Sequence, residues 1–495
     1  MTALRLPATP FAAPTLPTPL AEIRLVDPGV GASGAALVRL CRTGDDAGAP
    51  ADAPSGWVPS AGAVAALAPE DGAGRWLVGA GSAGATEWRG AGAAAVRVAS
   101  GRSDPGALFG ASADGGPARL HVVPEDGVTP DWAALATGLL LGSHRFSVRS
   151  SAPADPPHVT VEVPAAERPV VERALVLAGA TAIARDLADS PSGAKSPEWF
   201  AEQALAALAA ADGVDAVVRD ERWLAEHGFG GVLAVGGGSS RPPRFLELTW
   251  APAGAGTHVV LVGKGITFDT GGISIKPNAG MADMRTDCSG GAAVVGALAA
   301  VAALDLPVRV TGLVPLAENH VSGSAYRPGD VVRHYDGRTT EVTNTDAEGR
   351  MVLADALGYA VATLAPDVVV DVATLTGAMK VALGVRTGGL FATTDDLASA
   401  ITAAGESSGE AWWRVPLAAG HDGDVDSQLA DVRQAPPGPG GIVAALFLRR
   451  FVGDVPWAHL DIAGPARCDS PHEEVAKGAT GFSARTLVEF CAAHV

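Results

Sequence analysis

HVVLVGKGITFDTGGISIK, the stretch from His258 to Lys276, joins an apolar strand to a glycine-rich loop. Its first part, His258–Val262, predicts a strand buried on both faces, which is typical of a parallel sheet covered by helices. The loop carries Lys264 and Asp269 before it reaches Lys276. A phosphate-binding loop is the simplest alternative, but the Gly-Lys-Ser/Thr spacing of the Walker pattern is missing. The sequence leaves open whether this loop is a surface turn or a reactive site.

Strands and helices continue to alternate along the rest of the chain. The sequence predicts further strands at Val308–Val314, Asp367–Val372 and His459–Ile462, and helices at Gly290–Leu304, Arg350–Leu364 and Gly441–Phe451. Apolar strands that alternate with helices form a mostly parallel sheet flanked by helices. Ligands in such sheets bind at the carboxyl ends of the strands, which is where the loop that ends at Lys276 is expected.

The predicted fold class is α/β with two domains, because 495 residues exceed the usual length of one domain. A smaller N-terminal α/β domain is expected over residues 1–165, and a connecting helix over residues 166–190. Residues 191–495 are expected to form the larger C-terminal domain with the mostly parallel sheet. The first domain has predicted strands at Glu22–Val26, Ala36–Leu40, Trp76–Val78, Leu120–Val123 and His158–Val163, and a helix at Asp131–Leu141.

Composition argues against several classes of protein. The formal net charge of −18 argues against a nucleic acid partner, because binding to the phosphate backbone needs a basic face. The four cysteines form no CxxC pair, so neither a cysteine zinc site nor a disulfide framework is expected. No signal peptide is expected, because the first residues, MTALRLPATPFAAPTLP, lack a sustained apolar run after a basic region. No membrane span is expected, because apolar runs are interrupted before about 18 residues. The expected location is the cytoplasm.

Two further segments contribute carboxylates. MRTDCSGGAA (Met284–Ala293) places Asp287 ahead of a predicted helix, where a helix cap is the simpler interpretation. In NTDAEGRMVLADAL (Asn344–Leu357), Asp346 and Glu348 are two residues apart, so an extended segment after the predicted strand Thr340–Thr343 would place both on one side. Two convergent carboxylates repel each other unless a cation lies between them. The alternative is that Asp346 caps the next helix.

Arg350 is expected to open that next helix, whose amide end favours an anion, although a solvated side chain is the alternative. Asp355 is interpreted as a structural hydrogen-bonding residue, and His459 as a histidine of the core. Cys288 could touch a metal, but one isolated cysteine is a weak signal. No His-x-x-x-His or Glu-x-x-His pair occurs, which excludes a zincin-type site.

The combined set of carboxylates suits hard or borderline divalent ions. Oxygen ligands favour Mn²⁺, Mg²⁺ or Zn²⁺. Four carboxylates with a lysine nearby can hold two ions if some of the carboxylates bridge, as in two-metal hydrolases. The four are Asp269, Asp287, Asp346 and Glu348.

Together the three segments resemble the leucyl aminopeptidase (cytosol aminopeptidase) family, and NTDAEGR is the most specific of their motifs. The resemblance continues through VATLTGAMKVALG (Val372–Gly384), GGIVAALFL (Gly440–Leu448), WAHLDIAGPA (Trp457–Ala466) and KGATGF (Lys477–Phe482). It covers about Leu187 to the C-terminus. Upstream, only GLLLGSHRF (Gly138–Phe146) is similar.

The resemblance implies a role for each matching residue. Two divalent metal ions per chain, Mn²⁺, Zn²⁺ or Mg²⁺, are implied to bind Lys264, Asp269, Asp287, Asp346 and Glu348. Asp269 and Glu348 match bridging ligands, Asp346 serves one metal, and Lys264 and Asp287 serve the other. Lys276 and Arg350 match catalytic residues. The substrate cleft is implied to include Asn344, Met284, Thr374 and Gly377, while Arg350 and the backbone of Leu375 hold bicarbonate.

The activity implied by the resemblance is removal of the N-terminal residue, Leu or another apolar residue, from peptides. Attack by a hydroxide held between the two metals is implied, with the bicarbonate relaying its proton, and residues 191–495 are the catalytic metallopeptidase domain. The resemblance also implies a homohexamer, a dimer of trimers. Cys288 and His320 stand where methionine is expected, and DSPSG (Asp189–Gly193) replaces an Asn-Thr-Pro start, but no catalytic residue is lost.

Two alternatives of other classes remain. One is a nucleic-acid-binding regulator of the same fold, against which the net charge of −18 argues. The other is a catalytically silent scaffold, against which the five intact metal positions argue.

Overall fold

A computed structural model describes residues 14–31, 34–43, 50–70, 73–99, 117–150, 155–209 and 211–495. Most of the segment from which the absence of a signal peptide was inferred lies outside these residues. The chain divides into two compact units, and the division falls between Ala182 and Ile183. The N-terminal unit comprises Leu16–Ala182 and Asp469–Lys477, and the C-terminal unit comprises Ile183–Cys468 and Gly478–Val495 together with the described end of Met1–Thr15.

This division differs from the expected arrangement in two segments, because Asp469–Lys477 belongs to the N-terminal unit and the described end of Met1–Thr15 belongs to the C-terminal unit. Within the N-terminal unit Arg97 Nη1 donates to the carbonyl oxygen of Glu473 at 2.6 Å, and Arg89 Nε lies 3.3 Å from Glu474 Oε1. The N-terminal unit is therefore built from two separate stretches of the chain.

The N-terminal unit is a six-stranded sheet with two main helices. Its strands are β1 (Glu22–Val26), β2 (Ala36–Cys41), β3 (Val64–Glu70), β4 (Ala73–Gly79), β5 (Arg119–Pro124) and β6 (His158–Glu162), and its helices are α1 (Ala85–Ala99) and α2 (Trp132–Ser143). The strand order is β1-β6-β5-β2-β4-β3, and every neighbouring pair is parallel except β3 and β4. Neither β3 nor α1 was expected from the sequence.

Helices α1 and α2 pack closely because glycine removes side chains where they cross. A Cβ atom added at Gly138 of α2 would lie 2.1 Å from the carbonyl oxygen of Arg89 in α1, and one added at Gly142 would lie 2.5 Å from Ala93 Cα. Distances this short are impossible for real side chains, so the crossing requires glycine at these positions.

A long helix, α3 (Arg168–Asp189), follows β6 and contains the point of division. The helices of the C-terminal unit after it are α4 (Pro197–Leu208), α5 (Glu221–Glu226), α6 (Gly230–Gly236), α7 (Ser289–Ala303), α8 (Glu348–Tyr359), α9 (Gly377–Leu383), α10 (Asp395–Ser408), α11 (Gly440–Arg449) and α12 (Ala484–Ala492). Its strands are β7 (Val214–Arg219), β8 (Arg244–Trp250), β9 (His258–Gly263), β10 (Gly265–Asp269), β11 (Arg309–Asn319), β12 (Val331–Arg333), β13 (Thr339–Glu341), β14 (Val368–Ala373), β15 (Thr387–Ala392), β16 (Ala411–Arg414), β17 (Val432–Arg433), β18 (Trp457–Asp461), β19 (Arg467–Cys468) and β20 (Gly478–Ala479).

The central sheet of this unit has the order β16-β15-β18-β14-β9-β11-β8-β7, with β10 paired to β11. The four middle strands, β18, β14, β9 and β11, are mutually parallel, whereas β15, β8 and β7 bring antiparallel pairs toward the edges. The predicted α/β fold with a mostly parallel sheet is confirmed at its centre. Strands β9 and β14 are buried along their whole length, as their continuous apolar sequences predict.

Helix α7 lies in the core, and its residues Ser289 to Ala302 are all buried. Within the part of the chain that the structure describes, Met281–Ala303 is the one helical stretch long and apolar enough to cross a membrane, and 94% of that window is buried inside the protein. Burial on every side is the property of a core helix, and it explains why this helix is apolar all round.

One local prediction is wrong at the carboxylate-rich loop. The segment after β13 is not extended, because Thr345 and Asp346 form a turn and Ala347 precedes the helix. Helix α8 begins at Glu348, two residues before the expected start at Arg350. Asp346 and Glu348 are brought together by this turn into a helix, not by the alternation of a strand.

Candidate metal centre

The predicted metal-binding residues meet at the carboxyl ends of the parallel strands. Lys264 follows β9 directly, and Asp269 is the last residue of β10. Asp287 lies between a short 3-10 helix, Met281–Thr286, and α7. Glu348 enters from the other side of the site as the first residue of α8. Ligands of parallel sheets bind at the carboxyl ends of the strands, and this rule predicts the position of the cluster.

Lys264 is at the centre of one half of the cluster, and its side chain is 4% exposed. Its Nζ lies 2.8 Å from Asp287 Oδ2 and 2.9 Å from Glu348 Oε1, and it donates to the carbonyl oxygen of Thr374 at 3.0 Å. The backbone of Gly349 is packed against this lysine, since an added Cβ would lie 2.6 Å from Lys264 Cε.

Lys276 joins the carboxylates of the other half. Its Nζ lies 2.7 Å from Asp269 Oδ2 and also forms an ion pair with Asp346 Oδ1. Asp269 is held from behind, because its Oδ1 accepts from Asn319 Nδ2 and from the N–H of Gly271, both at 2.8 Å.

Asp269, Asp346 and Glu348 offer oxygen atoms that all lie within 4.8 Å of one another, which is a spacing that a single divalent ion can span. Glu348 Oε2 is buried and has no hydrogen-bond partner among the described residues. The four carboxylates outnumber the two lysines, so further positive charge is needed to balance the site. The donor set and this orphaned oxygen fit bound divalent ions.

The electrostatics of the cluster lead to the same conclusion. Burial, reinforced by the carboxylates of Glu348 and Asp287, raises the pKa of Asp269 well above its ordinary value. Burial also raises the pKa of Asp287 to about 6, although Lys264 opposes this shift. Burial lowers the pKa of Lys264, but Asp287 and Glu348 outweigh burial and the net shift is upward. Bound dications would relieve the repulsion between the carboxylates.

Arg350 lies in the first turn of α8 and is buried. Its Nη1 donates to the carbonyl oxygen of Gln434 at 2.7 Å, while its Nε is buried and has no hydrogen-bond partner among the described residues. Burial lowers the pKa of Arg350 to about 10, although Glu348 and Asp461 act in the opposite direction. A buried guanidinium with a free donor is suited to holding an anion.

The N–H of Leu375, expected to help hold that anion, donates instead to Asp461 Oδ1 at 3.2 Å. The same carboxylate accepts from the N–H and the hydroxyl of Thr376, at 3.1 and 2.6 Å. An anion at Arg350 would have to share the Leu375 donor with Asp461.

The four residues expected to line the cleft are placed differently around the cluster. Thr374 donates its hydroxyl to Asp287 Oδ1 at 2.6 Å, and the carbonyl oxygen of Met284 accepts from the N–H of Asp287 at 3.2 Å. Asn344 is exposed, and its Oδ1 accepts from the N–H of Asp346 at 2.9 Å. Gly377 is exposed where it begins α9.

Two residues interpreted as structural are buried and bond to other residues of the core. Asp355 is buried and accepts from the N–H of Val232 at 2.8 Å and from His334 Nδ1 at 2.9 Å. His459 is buried on β18 and its Nδ1 lies 2.6 Å from Asp371 Oδ1. Each side chain connects core elements to one another.

Cys288 does not bond to the cluster. Its Sγ donates to the carbonyl oxygen of Arg285 at 3.6 Å. Burial raises the pKa of the Cys288 thiol, which is therefore a weak ligand. The structure gives no support to the interpretation that this cysteine touches a metal.

Sequence reasoning missed Asn319 and Asp461, which support the site from behind. Both are the last residues of middle strands, β11 and β18. The strand predicted at Val308–Val314 ends before Asn319, and Asp461 lies inside the segment WAHLDIAGPA, for which no site residue was inferred.

A buried group of carboxylates and lysines at the carboxyl ends of parallel strands is the arrangement of a metal-dependent hydrolase site.

The chain matches the cytosol aminopeptidase family, catalytic domain, over residues 182–488. It is 44% identical over 367 residues to a probable cytosol aminopeptidase of Corynebacterium efficiens, covering 72% of each chain. A probable cytosol aminopeptidase of Roseiflexus castenholzii is 47% identical over 369 residues, covering 72% of this chain and 75% of the relative.

A solved structure is similar over nearly the whole length. The bottromycin maturation enzyme BotP in complex with Mn is 42% identical, with a TM-score of 0.82, over 93% of this chain and 99% of that one. The chain belongs to the cytosol aminopeptidase family. It is a metallo-exopeptidase, and the family resemblance inferred from the sequence is confirmed.

Proposed function

We propose that this chain removes the N-terminal residue from peptides at a site with two divalent metal ions. The cluster formed by Asp269, Asp346 and Glu348, with Lys264 and Asp287 adjoining it, is the observation that carries the proposal. These five residues would hold the ions. When bound, the ions would supply Lewis acidity that activates water and polarises the scissile carbonyl.

Mn²⁺ and Zn²⁺ are the ions that we propose, with Mg²⁺ as a weaker substitute. Mixed oxygen and nitrogen ligation suits Mn²⁺ and Zn²⁺ better than Mg²⁺, which prefers oxygen and retains its water. The similar BotP structure contains Mn. Lys264 would have to be neutral to coordinate, and adjacent dications favour that form.

Two residues of the chain would act on the reacting groups. Lys276 lies 2.7 Å from Asp269, so its ammonium is positioned beside the ions and would donate to the developing oxyanion. Arg350 would hold a bicarbonate ion, which would supply a proton acceptor that no side chain of the cluster provides. The buried Nε of Arg350, which has no hydrogen-bond partner among the described residues, supports this assignment.

The substrate would be recognised by its free α-amine, which would approach Asp287 and the adjoining metal. We propose that Asn344, Met284, Thr374 and Gly377 line the cleft. Leu or another apolar first residue is the proposed preference, which is supported by the apolar Ile273 and Ile275, 43% and 59% exposed in the loop that carries Lys276. The cytoplasm and a homohexamer are proposed from the family, and nucleic acid binding is not favoured at a net charge of −18.

Blocked and unblocked substrates test the proposal directly. An acetylated amine has no available lone pair for a metal, and its bulk displaces the scissile carbonyl. With added Mn²⁺ or Zn²⁺, the protein should cleave Leu-amide and leave N-acetyl-Leu-amide intact. The variant Glu348→Gln, purified identically, controls for contaminating peptidases. Comparable rates on the two substrates would contradict the proposal.

A further inference from the structure

Gln434 stands at the point where a small strand ladder meets the loop between β13 and α8. It directly follows β17, which is paired in parallel with β13. Its N–H donates to the carbonyl oxygen of Glu341 at 3.0 Å, so its backbone continues that ladder by one step. The side chain is 0% exposed. A buried amide must find partners for both its oxygen and its nitrogen.

Three hydrogen bonds connect the Gln434 side chain to the backbone of this one loop. Its Oε1 accepts from the N–H of Thr343 at 3.1 Å and from the N–H of Asn344 at 3.0 Å. Its Nε2 donates to the carbonyl oxygen of Ala347 at 3.1 Å. Where β13 has ended, these side-chain hydrogen bonds take the place of backbone hydrogen bonds between strands. They hold the loop at its start, Thr343 and Asn344, and at its end, Ala347.

The anchored positions lie beside the metal-binding residues. Ala347 is the residue between Asp346 and Glu348, and the carbonyl oxygen of Gln434 itself accepts from Arg350 Nη1 at 2.7 Å. The middle of the loop is held by other groups, since the Thr345 carbonyl accepts from Tyr326 Oη at 2.9 Å and from Asn319 Nδ2 at 3.0 Å. Gln434 therefore contacts the backbone on both sides of Asp346 and also contacts Arg350.

We propose that Gln434 is a positioning residue of the metal centre, which sets the separation and orientation of Asp346 and Glu348. The proposal rests on the proposed two-metal function. Metal ligands that are misplaced bind weakly, and loss of a supporting hydrogen bond typically costs about 10–100-fold in metal affinity. A residue that merely completed a strand ladder would affect stability and leave metal affinity unchanged.

The test compares Gln434→Met, which keeps the length of the side chain but removes its polar group, with Thr486→Val as a matched control. Thr486 is also buried in the C-terminal unit, and its hydroxyl bonds to Glu410 Oε2 at 2.6 Å and to Trp412 Nε1 at 3.1 Å. Mn²⁺ affinity is measured by calorimetric titration of the ion-free protein, and Tm is measured in chelator. Both variants should have a lower Tm than the wild type. Only Gln434→Met should bind Mn²⁺ more weakly than the wild type, by about 10–100-fold.

The milder variant Gln434→Asn keeps the amide but is one methylene shorter, so it cannot reach both ends of the loop. It provides the measurement if Gln434→Met does not fold, and it should bind Mn²⁺ more weakly than the wild type. Wild-type affinity in either folded variant would overturn the positioning role. Failure of the wild-type protein itself to bind Mn²⁺ would instead overturn the proposed function, so the two failures are distinguishable.

Discussion

Glu348 carries a large share of the metal site, because it is buried, contacts Lys264 at 2.9 Å and presents a second oxygen with no hydrogen-bond partner among the described residues. We expect Glu348→Gln to abolish peptidase activity and to lose at least one metal ion per chain. Elemental analysis after dialysis measures the metal. The control is Glu410→Gln, another buried glutamate of the same unit, whose carboxylate bonds to Thr486. Full metal content with near-normal turnover in Glu348→Gln would remove the two-metal assignment.

Lys276 is expected to act on the substrate and not as a ligand. Lys276→Met should lower kcat by roughly 10²–10³-fold, the effect of losing an oxyanion donor, while metal content stays unchanged. The exposed Lys477, changed to Met, serves as the control for removal of a surface charge. If metal is lost with Lys276, the roles of Lys264 and Lys276 are exchanged.

At the residue scale, the sequence predicted which side chains converge but not how they do so. Lys264 could be predicted because it closely follows an apolar strand, and the carboxyl ends of parallel strands meet at one side of the sheet. Asp269 was expected in the loop after that strand, whereas it is the last residue of β10, a strand that was not predicted. The turn at Asp346 could not be predicted, because a short run of polar residues is compatible with both a strand and a helix start. Asp461 was missed because one carboxylate within a predicted strand carries no local signal of what it contacts.

At the element scale, replacing a helix glycine by alanine changes stability in opposite directions at two positions. The sign depends on whether the added Cβ atom has space. Gly138→Ala places a Cβ atom 2.1 Å from the Arg89 carbonyl oxygen, so α1 and α2 must separate, at a cost of about 1–3 kcal/mol. Gly179 in α3 has no atom within 4 Å of an added Cβ. Gly179→Ala should stabilise the helix by about 0.5–1 kcal/mol. Urea unfolding of both variants checks the two signs, and equal shifts would contradict the packing argument.

The start of β9 is anchored by a buried histidine whose charged form is disfavoured by burial. His258 Nδ1 donates to the Leu364 carbonyl oxygen at 3.1 Å, and its Nε2 lies 2.9 Å from the Thr311 hydroxyl oxygen. Burial, with a contribution from Arg309, lowers the pKa of His258. The unfolded chain therefore binds the proton more readily, so stability that is present at neutral pH is lost as pH falls through the ordinary histidine pKa of about 6.5.

The measurement is the free energy of unfolding in urea at several pH values between about 7.5 and 5.5. The wild-type protein should lose more stability over this range than His258→Gln, in which the titrating group is gone. His320→Gln, at an exposed histidine of the same unit, should retain the wild-type slope. The same slope in all three proteins would show that His258 does not contribute.

At the element scale, strongly patterned segments could be predicted and alanine-rich ones could not. Strands β9 and β14 are continuous apolar runs, and the sequence predicts both to within one residue at either end. Helix α1, ATEWRGAGAAAVRVA, was missed because alanine and glycine give little contrast between its faces. The antiparallel strands β7 and β8 were missed because their polar residues obscure the alternation of apolar and polar positions.

The whole molecule is expected to be a homohexamer, arranged as a dimer of trimers. Large apolar side chains remain exposed in the single chain, and Trp413 and Val381 are 63% and 89% exposed. Apolar surface of this kind is commonly covered by other subunits. Light scattering at two protein concentrations should give a mass near six times that of the 495-residue chain. A mass near that of one chain would contradict this expectation.

The N-terminal unit was the hardest part to predict, because only the length and composition of the chain indicated that it is a separate domain. That Asp469–Lys477 belongs to this unit could not be predicted, because nothing local marks a segment that leaves one unit for another. Hydrogen bonds such as that from Arg97 to Glu473 join positions hundreds of residues apart.

That late return of the chain constrains when the protein can mature during its synthesis. The N-terminal unit begins at Leu16 but lacks Asp469–Lys477 until the intervening residues Ile183–Cys468 have been synthesised. Arg89 and Arg97 lack their partners, Glu474 and Glu473, until the intervening unit has been translated. Nascent N-terminal units therefore remain incomplete throughout elongation, and a chain released prematurely has no means of finishing them.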